Sequence, residues 1–465
     1  MAESANPKYL AARNIAETLR TAGHEAYFAG GCVRDLLLGL TPKDYDVATS
    51  ATPDVVLGLF PGKKALTVGA HFGVVLVCEP NDGSDGTSTE VATFRHDGAY
   101  TDGRRPDAVR FSTDPREDVL RRDFTINGML LDPEIYERTG DAAQATLDFV
   151  GGRDDLATHT LRAIGDPLQR FTEDKLRMLR AVRFAARLGF AIEPATATAI
   201  RQLAAQINVV SPERIRDETT LILTEGGARP GFELLDQLGL LPHILPEITK
   251  LHGVQQPPEY HPEGDVWIHT LLLLEKLPAG ASSTLAWGAL LHDVGKPATF
   301  RAPDPANPND RIRFNGHVEV GVRIAEKILQ RLHFSNEEIA QITALVKNHM
   351  RFGDVLHMRE STLKRFLRLP DFDEHLALHR MDCLSSHGDL SLYDFAREKY
   401  EAAPPESIQP KLLLTGRELI AAGYHPGPRF KKMLEAAEDA QLEGTVATPA
   451  EALRFVQNRF GPPHR

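Results

Sequence analysis

The chain has 465 residues, more than one ordinary core accommodates, so two or more domains are expected. Its 53 basic and 64 acidic residues leave a net charge of −11, which excludes wholesale coating by nucleic acid but allows a local basic track. No window has the apolar length of a membrane helix, the start "MAESANPKYL" lacks a secretion-signal pattern, and Cys32, Cys78 and Cys383 have no paired spacing, so the expectation is a cytoplasmic protein without membrane partner or disulfide framework.

In chain order, residues 8–22 read as a helix and "HEAYFAG" as a strand. A helix over 33–38 follows, then the strand "DYDVAT" and a helix over 53–59 opened by a Thr-Pro pair. "FGVVLVCE" and "EVATFR" read as two strands of a hairpin around the polar turn "CEPNDGSDGTSTE". After about residue 150 the strand signals stop and nearly all periodicity is helical. "GVQQPPEYHPEGD" and "EAAPPESIQP" are candidate boundaries, and "RAPDPANPNDR" reads as a surface loop. "TGRELIAAGYHPGPRFKKMLEAAEDAQLEG" reads as two helices around a turn, with Lys431 and Lys432 as basic residues there.

Asp44 and Asp46 are two apart and would share one face of a strand. Two such carboxylates repel unless a cation lies between them. A D-x-D alone is more often a solvated turn, but its surroundings here point to a site. Gly30-Gly31 lie upstream at a strand-to-helix junction, where a backbone can approach a phosphate closely, and Arg34 could reach the same phosphate. Glu90 lies on a later strand and could supply a third carboxylate. Three carboxylates beside a phosphate cradle suit two Mg²⁺ ions that activate a 3′-hydroxyl and stabilise a leaving pyrophosphate.

The basic track runs from Arg170 to Arg187, with six basic residues against two acidic. On a helix, Arg177, Arg180, Arg183 and Arg187 fall within about 120° of the circumference, with Met178, Leu179, Val182, Ala185 and Ala186 on the other side. Such a stripe is usually a solvated face, but Asp174 at its start argues against that reading here.

"GGCVRDLLLG…DYD", "RRDFTINGML", "FTEDKLRMLRAVRFAARLGF" and "SPERIRDE", in that order, resemble the motifs of the class II tRNA nucleotidyltransferase and bacterial poly(A) polymerase family. The resemblance implies an α+β fold: a polymerase-beta-type head with a small mixed sheet, then an all-α neck, body and tail. It implies Asp44 and Asp46 as the catalytic Mg²⁺ ligands with Glu90 as the third carboxylate. Gly31, Arg34 and Arg122 would contact the nucleotide, and Asp123 and Asn127 suit a ribose hydroxyl. Asp174 and Arg177 would read the base, with Arg180 and Arg183 holding that pair or touching the nucleotide. A carboxylate acceptor beside a guanidinium donor can imitate a Watson–Crick edge, so cytosine and adenine are chosen without a template. "SPERIRDE" would buttress the base-reading helix.

The implied partners are tRNA, CTP and ATP. "RHDGAYTDGRRPDAVRF" resembles the loop kept by enzymes that add the terminal A, which disfavours CC-only addition. Ala70-His71 stand where poly(A) polymerases carry a basic pair. CCA addition is favoured, with A addition and poly(A) synthesis as the alternatives. An RNA-binding protein or phosphohydrolase with an inactive head is the reading from another class.

A second constellation follows in "VWIHTLLLLEKL", "LAWGALLHDVGKP", "NGHVEVGVRIAEKIL", "ALVKNHM" and "LHRMDCLSS". Histidine and carboxylate together suit a transition metal. The pattern resembles the HD phosphohydrolase superfamily, with His269, His292, Asp293 and Asp382 as core ligands and His317 and His349 as the additional histidines of two-metal members. A divalent transition ion (Ni, Mn, Co or Fe) and a phosphohydrolase or phosphodiesterase activity are implied; a structural domain that positions tRNA is the alternative. The expected division is a head over 1–150, a neck over 151–255, an HD domain over 256–403 and a tail over 404–465, the tail resembling an element that could touch the tRNA backbone.

Overall fold

The computed structural model describes residues 6–61, 64–67, 73–78, 87–98, 108–307, 310–404 and 410–463. Ala70-His71, and most of the loop quoted between Arg95 and Phe111, lie outside them. The chain divides into two compact units, Met1–Pro246 and Glu247–Arg465.

In the first unit, helix α1 (Pro7–Thr21) starts at Asn6, whose side chain accepts from the Lys8 amide. It buries Tyr9, Ile15, Ala16 and Leu19. Strand β1 (Ala26–Ala29) leads into α2 (Gly31–Leu37), and β2 (Asp46–Thr49) into α3 (Pro53–Leu59). Then come β3 (Lys64–Thr67), β4 (Val74–Cys78), β5 (Ser88–Thr93), β6 (Arg95–Asp97), β7 (Val109–Phe111), α4 (Pro115–Leu120), β8 (Met129–Leu131) and β9 (Thr146–Asp148).

Seven of these strands form one mixed sheet in the order β3-β4-β5-β2-β1-β8-β9. Only β2 and β5 run parallel, with Val47 opposite Val91. The expected hairpin is present: β4 pairs antiparallel with β5. β6 pairs antiparallel with β7. Val47 and Ala48 are fully buried, so β2 is covered on both faces, as are β1 at Phe28–Ala29 and β8 at Met129–Leu131.

Three expectations need correction. Strand β2 begins at Asp46, not Asp44, so Asp44 lies in the segment before the strand. Strand structure does not end at residue 150: β10 (Thr160–Leu161) pairs parallel with β11 (Ala191–Ile192). The stretch from Phe171 is also two helices, Pro167–Glu173 and Leu176–Leu188. Asp174 adopts an extended backbone between them, and its Oδ1 accepts from the Leu176 amide at 3.1 Å.

In the second unit, helices Val266–Glu275 and Ser283–Leu291 are apolar around their circumference and buried, with Trp287 packed edge-on against Phe334. Helices His317–Arg331, Asn336–Asn348 and Phe372–Ser385 complete the surroundings of the histidines. The two helices predicted within residues 415–444 form as Gly416–Ala421 and Pro428–Leu442. A third, Pro449–Phe460, follows a Thr448–Glu451 capping box, and the three share a core that includes Leu419, Ala452 and Val456.

Candidate functional sites: a nucleotide cleft and a histidine–aspartate centre

The cleft is built where β1 turns into α2. Gly30 has φ 75, a conformation that favours glycine, and a Cβ there would lie 3.3 Å from Arg122 Nη1. Arg34 is buried. It donates from Nη1 to Asn127 Oδ1 at 2.7 Å, and from Nε and Nη2 to Asp35 Oδ1 at 2.8 and 2.6 Å.

Asp46 opens β2 opposite Ala29 of β1. The parallel register of β2 and β5 sets Asp46 and Glu90 at the same end of neighbouring strands. Burial, then the Glu90 and Asp44 carboxylates, push the Asp46 carboxyl up to about 6 against the pull of Arg122. Asp44 faces outward and is ion-paired to Lys8 at 2.7 Å. The three side chains offer oxygen only, the donor chemistry of a hard ion such as Mg²⁺, but their oxygens are not among the described donor groups that lie within 4.8 Å of one another.

The "RRD" triplet follows the end of α4 rather than starting a helix. Asp118, fully buried on α4, accepts from both Arg121 and Arg122, the latter at 2.8 Å from Nη2. Burial opposes ionisation of Asp118, but the two guanidinium groups hold its carboxyl below the usual range. Asp123 Oδ2 accepts from Arg180 Nε and Nη2 at 2.8 and 2.6 Å, and Oδ1 accepts from the Phe124 amide at 2.8 Å and Asn127 Nδ2 at 3.4 Å.

The arginine stripe is not a solvated face. Arg177 pairs with Glu173 at 2.9 Å and donates to the carbonyls of Arg170 and Arg121. Arg183 is buried between Glu218 at 3.0 Å and Glu225 at 3.3 Å. Arg187 lies 3.6 Å from Glu225. Asp174 Oδ2 accepts from Arg214 at 2.9 Å.

The result is a cleft of about 420 Å³ lined by Gly31, Arg34, Asp46, Arg122, Asp123, Asn127, Asp174, Arg177 and Arg180. Asp44, Glu90 and Arg183 do not line it. Arg183 stands behind the wall, where it holds the helix to Glu218 and Glu225. Sequence reasoning missed four lining residues: Arg121, Leu176, Phe184 and Arg214. Arg214 was within the quoted "SPERIRDE". Phe184 carries the guanidinium groups of Arg34, Arg180 and Arg183 over its ring at 4.5–5.4 Å.

In the second unit all six predicted ligands come together. His269, His292 and Asp382 form one group of donor atoms, and Asp293, His317 and His349 a second. Asp293 links them: Oδ2 lies 3.2 Å from His292 Nε2, and Oδ1 lies 3.8 Å from Nε2 of both His317 and His349. Each ring is fixed through Nδ1. His292 bonds the Ala289 carbonyl at 2.8 Å, His317 that of Phe314 at 2.9 Å and His349 that of Val346 at 2.7 Å. His269 Nδ1 bonds Glu263 Oε1 at 2.7 Å.

A carbonyl accepts a proton only from Nδ1–H, so the Nε2 lone pairs of these three rings are turned inward. Asp293 Oδ1 is buried and makes no hydrogen bond. Inward lone pairs around an orphaned carboxylate oxygen fit a transition-metal pair. Burial alone would depress His269, but Asp382 and Glu263 raise it to about 9, whereas burial pushes His349 down to about 4.

Gly295 allows the His-Asp turn to meet helix His317–Arg331: a Cβ there would lie 2.1 Å from the His317 carbonyl oxygen. Lys296 and Glu263, both missed in the sequence, bond Asp293 at 2.6 Å and His269 respectively. The centre opens into a cavity of about 800 Å³ with Tyr260, Lys296, Arg311 and Arg313 on its walls.

Residues 26–162 match the family described as "Poly A polymerase head domain", 189–251 "Probable RNA and SrmB- binding site of polymerase A", and 265–385 "HD domain". The chain is 35% identical over 455 residues to an A-adding tRNA nucleotidyltransferase of Deinococcus radiodurans, covering 93% of this chain and 95% of that one. The chain belongs to the tRNA nucleotidyltransferase family. It is 32% identical to a CCA-adding enzyme of Lacticaseibacillus paracasei over 96% of this chain and 95% of that one. The solved structure of a Bacillus stearothermophilus CCA-adding enzyme in complex with CTP is similar with a TM-score of 0.70 at 26% identity, over 98% of both chains. The α+β fold with a nucleotidyltransferase head and an HD domain is thus that of the family. No helix among the described residues is long and apolar enough to cross a membrane.

Two outcomes follow from these geometries. Asp118→Asn leaves two guanidinium groups without their carboxylate and costs about 3–5 kcal/mol of stability. The folded-state carboxyl lies below its unfolded value, so this contribution is present above about pH 4 and lost on acidification. Denaturation curves of both proteins at pH 7 and below pH 4 check this, since the difference should shrink in acid. Gly295→Ala displaces the His317 turn, so metal content measured by mass spectrometry should fall while the first unit still binds nucleotide.

Proposed function

We propose that the protein is a CTP(ATP):tRNA nucleotidyltransferase that adds the 3′-terminal CCA to tRNA without a nucleic-acid template. The observation that carries this reading is one cleft holding both the metal-type carboxylate Asp46 and the base-reading pair Asp174 and Arg177. Asp174 uses two of about four acceptor positions, on Leu176 and Arg214, and Arg177 keeps free N–H groups, so both retain capacity for a base edge. Their fixed partners hold the edge in place before the base arrives.

Arg122 and Arg34 suit the triphosphate, and lie where side chains on Gly30 and Gly31 would meet them. Asp123 and Asn127 suit the ribose hydroxyl. Asp44, Asp46 and Glu90 would hold Mg²⁺, which when bound supplies activation of the tRNA 3′-hydroxyl and neutralises charge on the leaving pyrophosphate. A-only addition is the second reading, favoured by the Deinococcus radiodurans relative. The tRNA substrate and three unpaired cysteines support a cytoplasmic location.

We also propose that the four-part division holds, with head, neck, HD domain and tail as inferred from the sequence, and that the HD centre is a metal-dependent phosphohydrolase or phosphodiesterase. The orphaned Asp293 Oδ1 supports the latter, as do Lys296, Arg311 and Arg313 on the cavity wall, Lys296 being paired with Asp293 and Arg313 with Asp310.

Asp46→Ala should reduce nucleotide addition by on the order of 10³-fold, the scale of losing a main electrostatic stabiliser, and leave phosphatase activity unchanged. His292→Ala should do the reverse. Assaying both variants with tRNA plus CTP and ATP, and with a chromogenic phosphate ester, separates the two sites; addition that survives in Asp46→Ala rejects the head assignment.

A further inference from the structure

The Lys8 ammonium lies 2.7 Å from Asp44 Oδ1 and also donates to the Lys43 carbonyl at 2.7 Å. Core packing sets this contact. Tyr9, next to Lys8, packs edge-on against Tyr45, next to Asp44, with ring centroids 5.5 Å apart. Both rings pack on Phe28, and all three are buried. Behind them α1 is anchored by Ile15 and Leu19, which are fully buried. With Tyr9 and Tyr45 fixed inside, their neighbours Lys8 and Asp44 meet outside. Asp46, two residues on, makes no ion pair among the described residues, and its carboxyl bears the repulsion of Asp44 and Glu90.

We propose that Lys8 is a built-in counter-cation for Asp44 that occupies this carboxylate until a divalent ion displaces it. The inference rests on the assignment of Asp44 and Asp46 as head metal ligands. An ammonium and a divalent ion compete for the same oxygen, and a displaced ammonium remains a like charge close by. Lys8 therefore lowers the affinity of the head for a free divalent ion and favours ions that arrive with the negative charge of a nucleoside triphosphate. It is a positioning residue, since it does not line the nucleotide cleft.

The test is Mn²⁺ binding to the full-length protein, without nucleotide, followed by the electron paramagnetic resonance signal of free Mn²⁺. The binding lost in Asp46→Asn defines the head and removes the contribution of the HD centre. Lys8→Met should bind Mn²⁺ at the head about two- to fivefold more tightly than wild type, the range set by an exposed ion pair. Lys8→Arg keeps the charge and should stay near wild type. Thermal melting confirms that both exposed substitutions leave the fold intact. Unchanged or weaker binding in Lys8→Met, with a clear loss in Asp46→Asn, overturns the role of Lys8 and keeps the metal site. No loss of binding in Asp46→Asn overturns both.

Discussion

Guanidinium groups crowd the nucleotide cleft, and each has to be given a carboxylate before any nucleotide arrives. Asp35 serves Arg34, Asp118 serves Arg121 and Arg122, Asp123 serves Arg180, Glu173 serves Arg177, and Glu218 and Glu225 serve Arg183. Buried charges without partners are strongly destabilising, so this pairing constrains the first unit more than any apolar contact at the site. It also orients the groups. Arg180 and Asp123 join the segment after α4 to helix Leu176–Leu188, so the ribose-type and base-type residues are held in one frame.

The two sites solve the problem of unbound polar groups differently. In the cleft, arginines and carboxylates satisfy one another, and a triphosphate or a base edge inserts into a network that is already charge-balanced. In the HD centre each histidine is held at Nδ1 by a backbone carbonyl or Glu263, while Nε2 faces a carboxylate or another ring of the centre, as His269 does Asp382 at 3.1 Å. Their inner faces and Asp293 Oδ1 point at one another, an arrangement suited to ions rather than to hydrogen bonds. The cleft is thus dominated by paired arginines and carboxylates, and the HD centre by inward-facing imidazoles and carboxylates.

Much of the cleft was legible in the sequence because its functional residues cluster in short segments. "GGCVRD", "DYD", "RRDFTIN" and "EDKLR" each fix their own local geometry, and the fold brings them to one cleft. The six HD-type residues are spread over five segments, with only His292 and Asp293 adjacent, and the fold gathers them into two groups of donor atoms. What the sequence hid was the partner of each group. Arg214 meets Asp174 from 40 residues away, and Glu225 meets Arg183 from 42. Lys8 meets Asp44 only because two tyrosines pack beside them. Periodicity alone did not separate the arginine stripe from a solvated face, since it records which side a residue occupies and not what covers it; Asp174 at its start and the family resemblance were what argued against that reading. The break at Asp174 was hidden too, because helical propensity runs through it and only the side-chain bond to the Leu176 amide ends the pattern.

The central claim is that one cleft selects both cytosine and adenine for addition to tRNA. The most direct measurement offers the protein two labelled tRNAs, one ending before CCA and one ending in CC, each with Mg²⁺ and CTP, ATP or both. The account predicts three added nucleotides on the first, only when both triphosphates are present, and one A on the second. A single A on the CC-ended tRNA with nothing on the first, or long A ladders on either, would contradict it.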